Sequence, residues 1–145
     1  MISKIFNDFL HPELLLHGTD LSTLLLMDKI DIITEWLYKH KKQNDRTMLY
    51  LIMYDIENNR IRTNIGKYLI RKGCLRIQKS IYLAKSSRTL YQQIYKTLKE
   101  INNIYENHDS IFLLPVPEEK FQNIKVIGKN VEFDLVTKSK NVLFF

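Results

Sequence analysis

The sequence has few of the residues that form disulfides, long linkers or membrane spans. Its single cysteine, Cys74, excludes an intramolecular disulfide, which predicts a reducing, cytoplasmic location. Four glycines and three prolines in 145 residues leave little material for flexible linkers. The apolar stretch over residues 21–33 is interrupted by Asp28, Lys29 and Asp31 and is too short to cross a bilayer. No membrane association is therefore predicted.

The middle of the chain is short of acidic residues. Residues 46–99 contain twelve lysines and arginines but only two acids, Asp55 and Glu57, a net charge of +10, whereas the segments on either side each carry −2. Released counterions favour the binding of such a basic block to phosphates. A solvated lysine-rich surface explains the charge equally well, so charge alone leaves a nucleic-acid partner and such a surface with equal weight.

Several common kinds of active site find no support in the sequence. The four histidines, His11, His17, His40 and His108, lack the spacing of zinc ligands. Ser80 has no partners in sequence that suggest a catalytic triad, and no glycine-rich phosphate loop is present. A carboxylate is then the remaining type of functional group for an active site. Asp55 is the strongest candidate because it lies at the end of an apolar run.

Hydrophobic periodicity predicts a mixed α and β chain. Helices are predicted over residues 22–40, capped by Ser22, over 60–72, capped by Asn58 or Asn59, and over 88–107. Strands are predicted over 48–56, over 75–85 as one long strand, and over 110–116, 124–128, 131–136 and 141–145. From Met48 this gives the order β-α-β-α-β-β, and the pattern leaves open whether one further hairpin converts it to βαββαβ.

Two stretches in fixed order resemble the Cas2 family of CRISPR-associated proteins. They are "YLIMYDIENNRIR" over residues 50–62 and "KGCLRIQKSIY" over residues 72–82, followed by "VIGKN" at 126–130 and "NVLFF" at 141–145. The resemblance covers about residues 47–145. It implies an α+β, ferredoxin-like (βαββαβ) sandwich with an extra C-terminal strand. Residues 1–46 lie outside the resemblance and are predicted to form a helical N-terminal extension of unknown role.

The resemblance implies a role in CRISPR adaptation. A homodimer of the family bridges two integrase (Cas1-type) dimers and supports the duplex DNA of the incoming spacer. Some members are also magnesium-dependent endonucleases on RNA or DNA, so whether this chain is an enzyme stays open. The alternative is a toxin-like ribonuclease on the same fold, outside CRISPR. A dimer also follows from the pattern, since two helices cover only one face of an apolar sheet and residues 141–145 suit pairing across the dimer.

The resemblance places Asp55 on the family's metal-binding aspartate. A carboxylate at a strand end suits Mg²⁺, and a dimer axis could bring two copies of Asp55 to one ion. Spacing alone favours the alternative of a turn or helix-capping aspartate without a metal.

The resemblance also links further residues to function. The catalytic candidates besides Asp55 are Tyr54, Arg62, Arg76 and Tyr82. Strand alternation puts Tyr54 on the face opposite Asp55, so packing explains it at least as well. Tyr82 replaces a more usual phenylalanine and suits dimer packing, and Asn64 stands where another basic residue is often found.

The basic segment supplies the candidates for nucleic-acid contact. Guanidinium groups bind phosphates in a bidentate way, and lysines add charge without sequence specificity. The alternative for any one of them is a solvated helix face. The candidates are Arg60, Arg62, Lys67, Arg71, Lys72 and Lys79.

Overall fold

The computed structural model describes residues 18–40, 46–128 and 131–134. The predicted strand over residues 141–145 lies outside them, as do most residues of the N-terminal extension. The elements are β1 (Thr19–Asp20), α1 (Leu26–His40), β2 (Thr47–Asp55), α2 (Asn59–Arg71), β3 (Leu75–Gln78), β4 (Ile81–Ser87), α3 (Arg88–Asn103), β5 (Ser110–Pro115), α4 (Glu118–Phe121), β6 (Lys125–Gly128) and β7 (Val131–Asp134). None of the helices in these described ranges has the length and apolar character needed to span a bilayer.

Elements β2 to β5 follow the order βαββαβ, which confirms the ferredoxin-like fold. The five-stranded sheet has the order β1-β3-β4-β2-β5, in which β2 pairs antiparallel with both β4 and β5. Strands β6 and β7 form a separate antiparallel pair, so the strands predicted over 124–128 and 131–136 are present with slightly different ends.

The prediction of one strand over residues 75–85 is wrong, because this segment is the hairpin β3–β4. The strands are joined at Lys79 and Ser80, and Leu75 pairs with Leu83 across the hairpin. The turn is held by the Arg76 guanidinium, which donates to the Lys79 carbonyl from Nε at 3.1 Å and from Nη2 at 2.7 Å. Leu75 and Ile77 before the turn are in the same alternation as Ile81 and Leu83 after it, and only Lys79 and Ser80 interrupt the pattern, without Gly, Pro, Asn or Asp, so the sequence gives little sign of the turn.

Helices α2 and α3 cover one face of the sheet. Asn58 and Ser87 cap them, since their side chains accept hydrogen bonds from the amides of Ile61 and Leu90 at 3.1 and 3.2 Å. Gly73, at φ 92°, takes the left-handed conformation that ends α2. The third predicted helix ends at Asn103 rather than at 107. The buried core between this layer and the sheet includes Tyr50, Ile52, Tyr54, Ile65, Tyr68, Tyr82, Ile94 and Leu98.

Helix α1 covers part of the opposite face. Its Ile30, Ile33 and Leu37 join a second buried cluster with sheet residues Leu49, Leu75 and Leu83 and with Phe121 of α4. The short strand β1 pairs parallel with β3. The described part of the N-terminal extension therefore shares a core with the sheet. The predicted helix start at Ser22 is wrong, because the Ser22 amide and hydroxyl donate to Asp20 Oδ1 at 2.9 and 2.6 Å in a turn, and the helix begins at Leu26.

Among the described residues, none covers the part of this second face nearest β5. Leu114 and Phe112 stand opposite Leu51 and Met53 on the neighbouring strand, and their side chains are 49% and 61% exposed. The second face therefore has a covered half under α1 and an open half, which we call the open half-face and define by Met53, Phe112 and Leu114. This corrects the expectation that the sheet has one wholly uncovered face.

Candidate metal and nucleic-acid site

Asp55 is the last residue of β2 and is exposed at the rim of the open half-face. Successive strand residues point to opposite faces, and Tyr50, Ile52 and Tyr54 are buried under α2 and α3. The side chain of Asp55 therefore projects on the other face, together with Met53. Its partner across the sheet is Ser110 of β5. The buried strand fixes the carboxylate's position because seven of its residues pair with β4 and six with β5.

The loop beside Asp55 is held by Asp109, which sequence reasoning missed. Asp109 Oδ1 accepts a hydrogen bond from the Glu57 amide at 3.1 Å, and its Oδ2 accepts one from the Tyr105 hydroxyl at 2.5 Å. Burial and the contact with Asp109 raise the pKa of Tyr105, so this hydroxyl stays a donor at physiological pH. These contacts tie the α3–β5 connection to the β2–α2 connection. The sequence carries no periodic signal for such a contact between two loops.

The described residues of one chain offer few metal ligands near Asp55. Across residues 18–40, 46–128 and 131–134, no three His, Cys, Asp or Glu side chains lie together as a group that could hold an ion. Asp55 supplies a single carboxylate, whereas Mg²⁺ takes six oxygen ligands and is bound by one or two carboxylates with several waters. Within the described ranges, the residues of one chain therefore do not form a metal site by themselves.

Arg62 stabilises the turn that follows Asp55. Its Nη1 donates to the Ile56 carbonyl at 3.0 Å, and its Nη2 donates to Asn59 Oδ1 at 2.7 Å. These two bonds use one N–H of each terminal nitrogen and hold the guanidinium against the β2–α2 connection, and three of its five N–H donors are left for other partners. Arg62 therefore lies near Asp55, and its hydrogen bonds stabilise the β2–α2 connection.

Tyr54 and Tyr82 lie in the core rather than at the site surface. They are 6% and 0% exposed, and their hydroxyls are 3.2 Å apart. Burial and the contact with Tyr54 raise the pKa of Tyr82. Helix α2 reaches this pair through Gly66, where an added Cβ would lie 2.8 Å from the Tyr82 hydroxyl. Both hydroxyls are buried within the described chain, and the functional roles of Tyr54 and Tyr82 stay predictions.

Arg76 is engaged by the N-terminal extension. Its Nη1 lies 3.0 Å from Asp20 Oδ2, and its guanidinium stacks 5.7 Å from the centre of the Tyr82 ring. Partial burial opposes ionisation of Asp20, but hydrogen bonds from Ser22 and the charge of Arg76 lower its pKa overall. Arg76 therefore joins β1, the β3–β4 turn and the core.

The predicted phosphate contacts divide into three groups. Arg60, Lys67 and Arg71 are exposed on α2 at spacings of seven and four residues, which place them on one side of the helix. Lys79 is exposed in the β3–β4 turn. Lys72 is only 6% exposed, with its ammonium 5.8 Å from the centre of the Tyr68 ring, so it is not part of the surface that the other residues form.

Comparisons with known proteins agree with this geometry. The family model described as CRISPR associated protein Cas2 matches residues 48–124. The CRISPR-associated endoribonuclease Cas2 of Aeropyrum pernix is 31% identical over 86 residues, which are 59% of this chain and 91% of that protein. The CRISPR-associated endoribonuclease Cas2 of Thermofilum pendens is 30% identical over 79 residues, 54% of this chain and 82% of that protein. The chain belongs to the Cas2 family of CRISPR-associated proteins.

Proposed function

We propose that this Cas2-family protein is an adaptation subunit, a homodimer that binds duplex DNA and bridges integrase subunits of the Cas1 type during spacer acquisition. The observation that carries the proposal is the open half-face, an apolar surface with Asp55 at its rim and a basic helical layer on the other side of the sheet. Both relatives carry CRISPR-associated names, which favours this role over a toxin-like ribonuclease outside CRISPR.

The open half-face supports a second copy of the chain as its occupant. Phe112 and Leu114 are two residues apart on β5, so both project on the same face and remain exposed. Burying one Phe or Leu side chain contributes about 1.5–3 kcal/mol, and a twofold contact would bury both from each copy. Since α1 covers the other half of this face, the second copy has only the β5 side available. Asp55 from both copies would then lie beside the axis.

The dimer is tested by Phe112→Glu. We expect this change to produce a monomer in sedimentation at micromolar concentration, because it places a charge in the apolar contact. Leu25→Glu is the matched control, since Leu25 is 78% exposed on the α1 side and is outside the open half-face. A wild-type protein that sediments as a monomer, or a Phe112→Glu protein that remains a dimer, would contradict this interface.

The pair of Asp55 side chains is also the proposed metal site. Two close carboxylates repel each other, and a cation between them relieves the repulsion. One carboxylate from each copy matches the few protein ligands with which Mg²⁺ is usually bound. The ion would supply charge stabilisation at a phosphate and lower the pKa of bound water. The chain's own contribution is to fix Asp55 at the end of β2 and to hold the adjoining loops through Asp109.

Endonuclease activity is a second proposed function, favoured by the endoribonuclease names of both relatives. It is tested with wild type and Asp55→Asn on single-stranded RNA and on duplex DNA, each with Mg²⁺ and with chelator. We expect Asp55→Asn to keep fold, dimer and duplex binding but to lose metal-dependent cleavage. Equal cleavage by both proteins would show that Asp55 takes no part in the cleavage reaction. Spacer acquisition that persists in Asp55→Asn cells would assign the adaptation role to the scaffold alone.

A further inference from the structure

A cleft lies at the Asp55 end of the sheet, between the β2–α2 connection and the α3–β5 connection. Its volume is about 960 Å³, and it opens to solvent. The start of α2, at Asn58, and the end of α3, at Asn103, border it. We call it the loop cleft and define it by six of its lining residues: Glu57, Asn102, Asn103, Glu106, His108 and Asp109.

The lining of the loop cleft is acidic, although the protein is basic. Glu57, Glu106 and Asp109 give it a formal charge of −3 with His108 neutral, whereas the whole chain carries +6. No lysine or arginine is among the described residues that line the cleft. Neither Glu57 nor Glu106 forms an ion pair with a described basic residue. Two carboxylates of the cleft are therefore not neutralised by the described side chains around them.

The end of α3 adds to the negative potential of the loop cleft. The last carbonyls of a helix carry the negative end of its dipole, and a basic side chain in the last turn commonly offsets it. The last turn of α3 contains no basic residue, and Glu106 follows three residues after the helix ends. The positive end of α2 is already capped by Asn58, which accepts a hydrogen bond from the Ile61 amide. A cation is therefore favoured at the α3 border.

An unpaired acceptor belongs to the wall of the loop cleft. Asn102 lines the cleft, and its Oδ1 is buried without a hydrogen-bond partner among the described residues. A buried acceptor without a donor is unfavourable, so such groups are usually satisfied by protein, water or a ligand. The Asn107 side chain is not available as this donor, because its Nδ2 already donates to the carbonyls of Asn102 and Tyr105 at 3.0 and 2.9 Å.

Hydrogen bonds within the lining fix the shape of the loop cleft. Asp109 accepts from the Glu57 amide and from the Tyr105 hydroxyl, and its own amide donates to Asn107 Oδ1 at 3.0 Å. These bonds involve the backbone of Glu57 and not its carboxylate. A preformed site loses less conformational entropy when a ligand binds.

From these features we infer that the loop cleft is a docking site for an arginine side chain of a partner protein. A guanidinium group has five N–H donors in one plane and no acceptor. It can therefore bind a carboxylate as a fork and still donate to an amide oxygen such as Asn102 Oδ1. This docking site is additional to the proposed DNA binding and cleavage and requires neither of them.

The charge of the loop cleft disfavours other occupants. The phosphates of a nucleic acid would be repelled by the three acids, and so would the α-carboxylate of free arginine, which a peptide lacks within its chain. A metal ion is also disfavoured, since no three His, Cys, Asp or Glu side chains of the described residues are grouped closely enough to hold one. An arginine within a polypeptide brings the positive charge without a negative one.

The docking site is tested by titrating the full-length, nitrogen-15-labelled protein with three capped tripeptides, observed by proton–nitrogen NMR. Acetyl-Gly-Arg-Gly-amide is the probe. The lysine peptide has the same charge without the planar fork, and the citrulline peptide has nearly the same shape without the charge. We expect the arginine peptide to shift the signals of Glu57, Asn102 and Asp109, the lysine peptide to bind more weakly, and the citrulline peptide not to bind. Shifts confined to other parts of the chain, or equal binding of the citrulline peptide, would overturn the docking site.

A pair of double variants tests the two carboxylates. Glu57→Gln/Glu106→Gln removes their charges and keeps the Glu57 amide that bonds to Asp109. We expect the affinity for the arginine peptide to fall about tenfold, because charge-assisted hydrogen bonds are lost. Asp28→Asn/Glu119→Gln changes the net charge equally at exposed residues outside the cleft and should keep the wild-type affinity. Equal losses in both double variants would indicate a general effect of net charge and contradict the docking site.

Asn102→Ala separates binding from stability. It should weaken binding of the arginine peptide but leave the thermal midpoint unchanged or higher, because Asn102 Oδ1 has no partner to lose among the described residues. A lower midpoint with unchanged peptide affinity would make Asn102 a structural residue and contradict its part in docking. Signal shifts at the loop cleft with a single-stranded RNA, and none with the arginine peptide, would assign the cleft to nucleic acid and overturn the docking site. None of these measurements uses cleavage or duplex binding, so a failure here is distinguishable from a failure of the proposed function.

Discussion

Gly66→Ala, combined with Tyr82→Phe, measures whether Tyr82 is a core residue. In the wild type, an alanine Cβ at position 66 would lie 2.8 Å from the Tyr82 hydroxyl, in a core where Tyr82 has no exposed surface. Overpacking of this kind costs about 1–3 kcal/mol, whereas replacing glycine in a helix returns about 0.5–1 kcal/mol. The steric term is larger, so Gly66→Ala alone should lower the free energy of unfolding by about 0.5–2 kcal/mol.

Removing the Tyr82 hydroxyl reverses the sign of the effect of Gly66→Ala on stability. In Tyr82→Phe, the nearest remaining atoms to the new Cβ are the Tyr54 hydroxyl at 3.8 Å and the ring carbon at 4.0 Å, which are ordinary contacts. Gly66→Ala should then stabilise by about 0.5–1 kcal/mol, a coupling of about 1–3 kcal/mol between the two sites. The coupling free energy is obtained from urea denaturation curves of the wild type, the two single variants and the double variant. All four are measured at the same protein concentration, and their m values must be equal. Equal effects of Gly66→Ala in both backgrounds would refute the packing argument, and loss of RNA cleavage in Tyr82→Phe would assign the hydroxyl a role beyond packing.

The remaining predictions concern α4, α3 and the N-terminal extension. Phe121→Ala should destabilise by about 3–5 kcal/mol, because its side chain is 4% exposed in the cluster under α1, and a cost below about 1 kcal/mol in urea denaturation would show that this cluster is not a core. Ser87→Ala should cost about 1 kcal/mol through loss of the α3 cap, and an unchanged free energy of unfolding in urea denaturation would contradict the cap. The lowered pKa of Asp20 means that its contribution to stability is present above the unfolded pKa and is lost as pH falls through the folded pKa. Asp20→Asn should therefore flatten the decline in stability of the wild type below about pH 4, and an unchanged acid profile would separate Asp20 from that decline.

Local patterns in the sequence were enough to predict most of the fold. The apolar alternation around Tyr54 and the helical spacing of Ile61, Ile65 and Leu69 follow directly from burial on one face, and the structure has β2 and α2 within one or two residues of the prediction. The β3–β4 hairpin could not be predicted, because its turn lacks the residues that mark a change of direction. The ferredoxin-like order therefore depended on the resemblance and not on periodicity.

The site was less accessible to sequence reasoning, because its contacts are long-range. Asp55 was found because a lone carboxylate ends an apolar strand. Arg76 was predicted as a functional residue, but its partner Asp20 lies 56 residues earlier, on a two-residue strand that no propensity indicates. The apolar stripe of α1 predicted a helix but not the surface it covers. The position of a helix against a sheet is set by tertiary packing, which a single sequence does not display.

The opposite charges of the two layers also affect how the molecule approaches a polyanion. A body that is positive on α2 and α3 and negative on α1 has an electric dipole across its sheet, and the field of a duplex exerts a torque on it before any contact forms. In the proposed duplex-binding role, encounters would begin with the helical layer turned towards the phosphates, and fewer collisions would occur in a non-binding orientation. Added salt shortens the distance over which this alignment acts, so it slows association before it affects the lifetime of the complex.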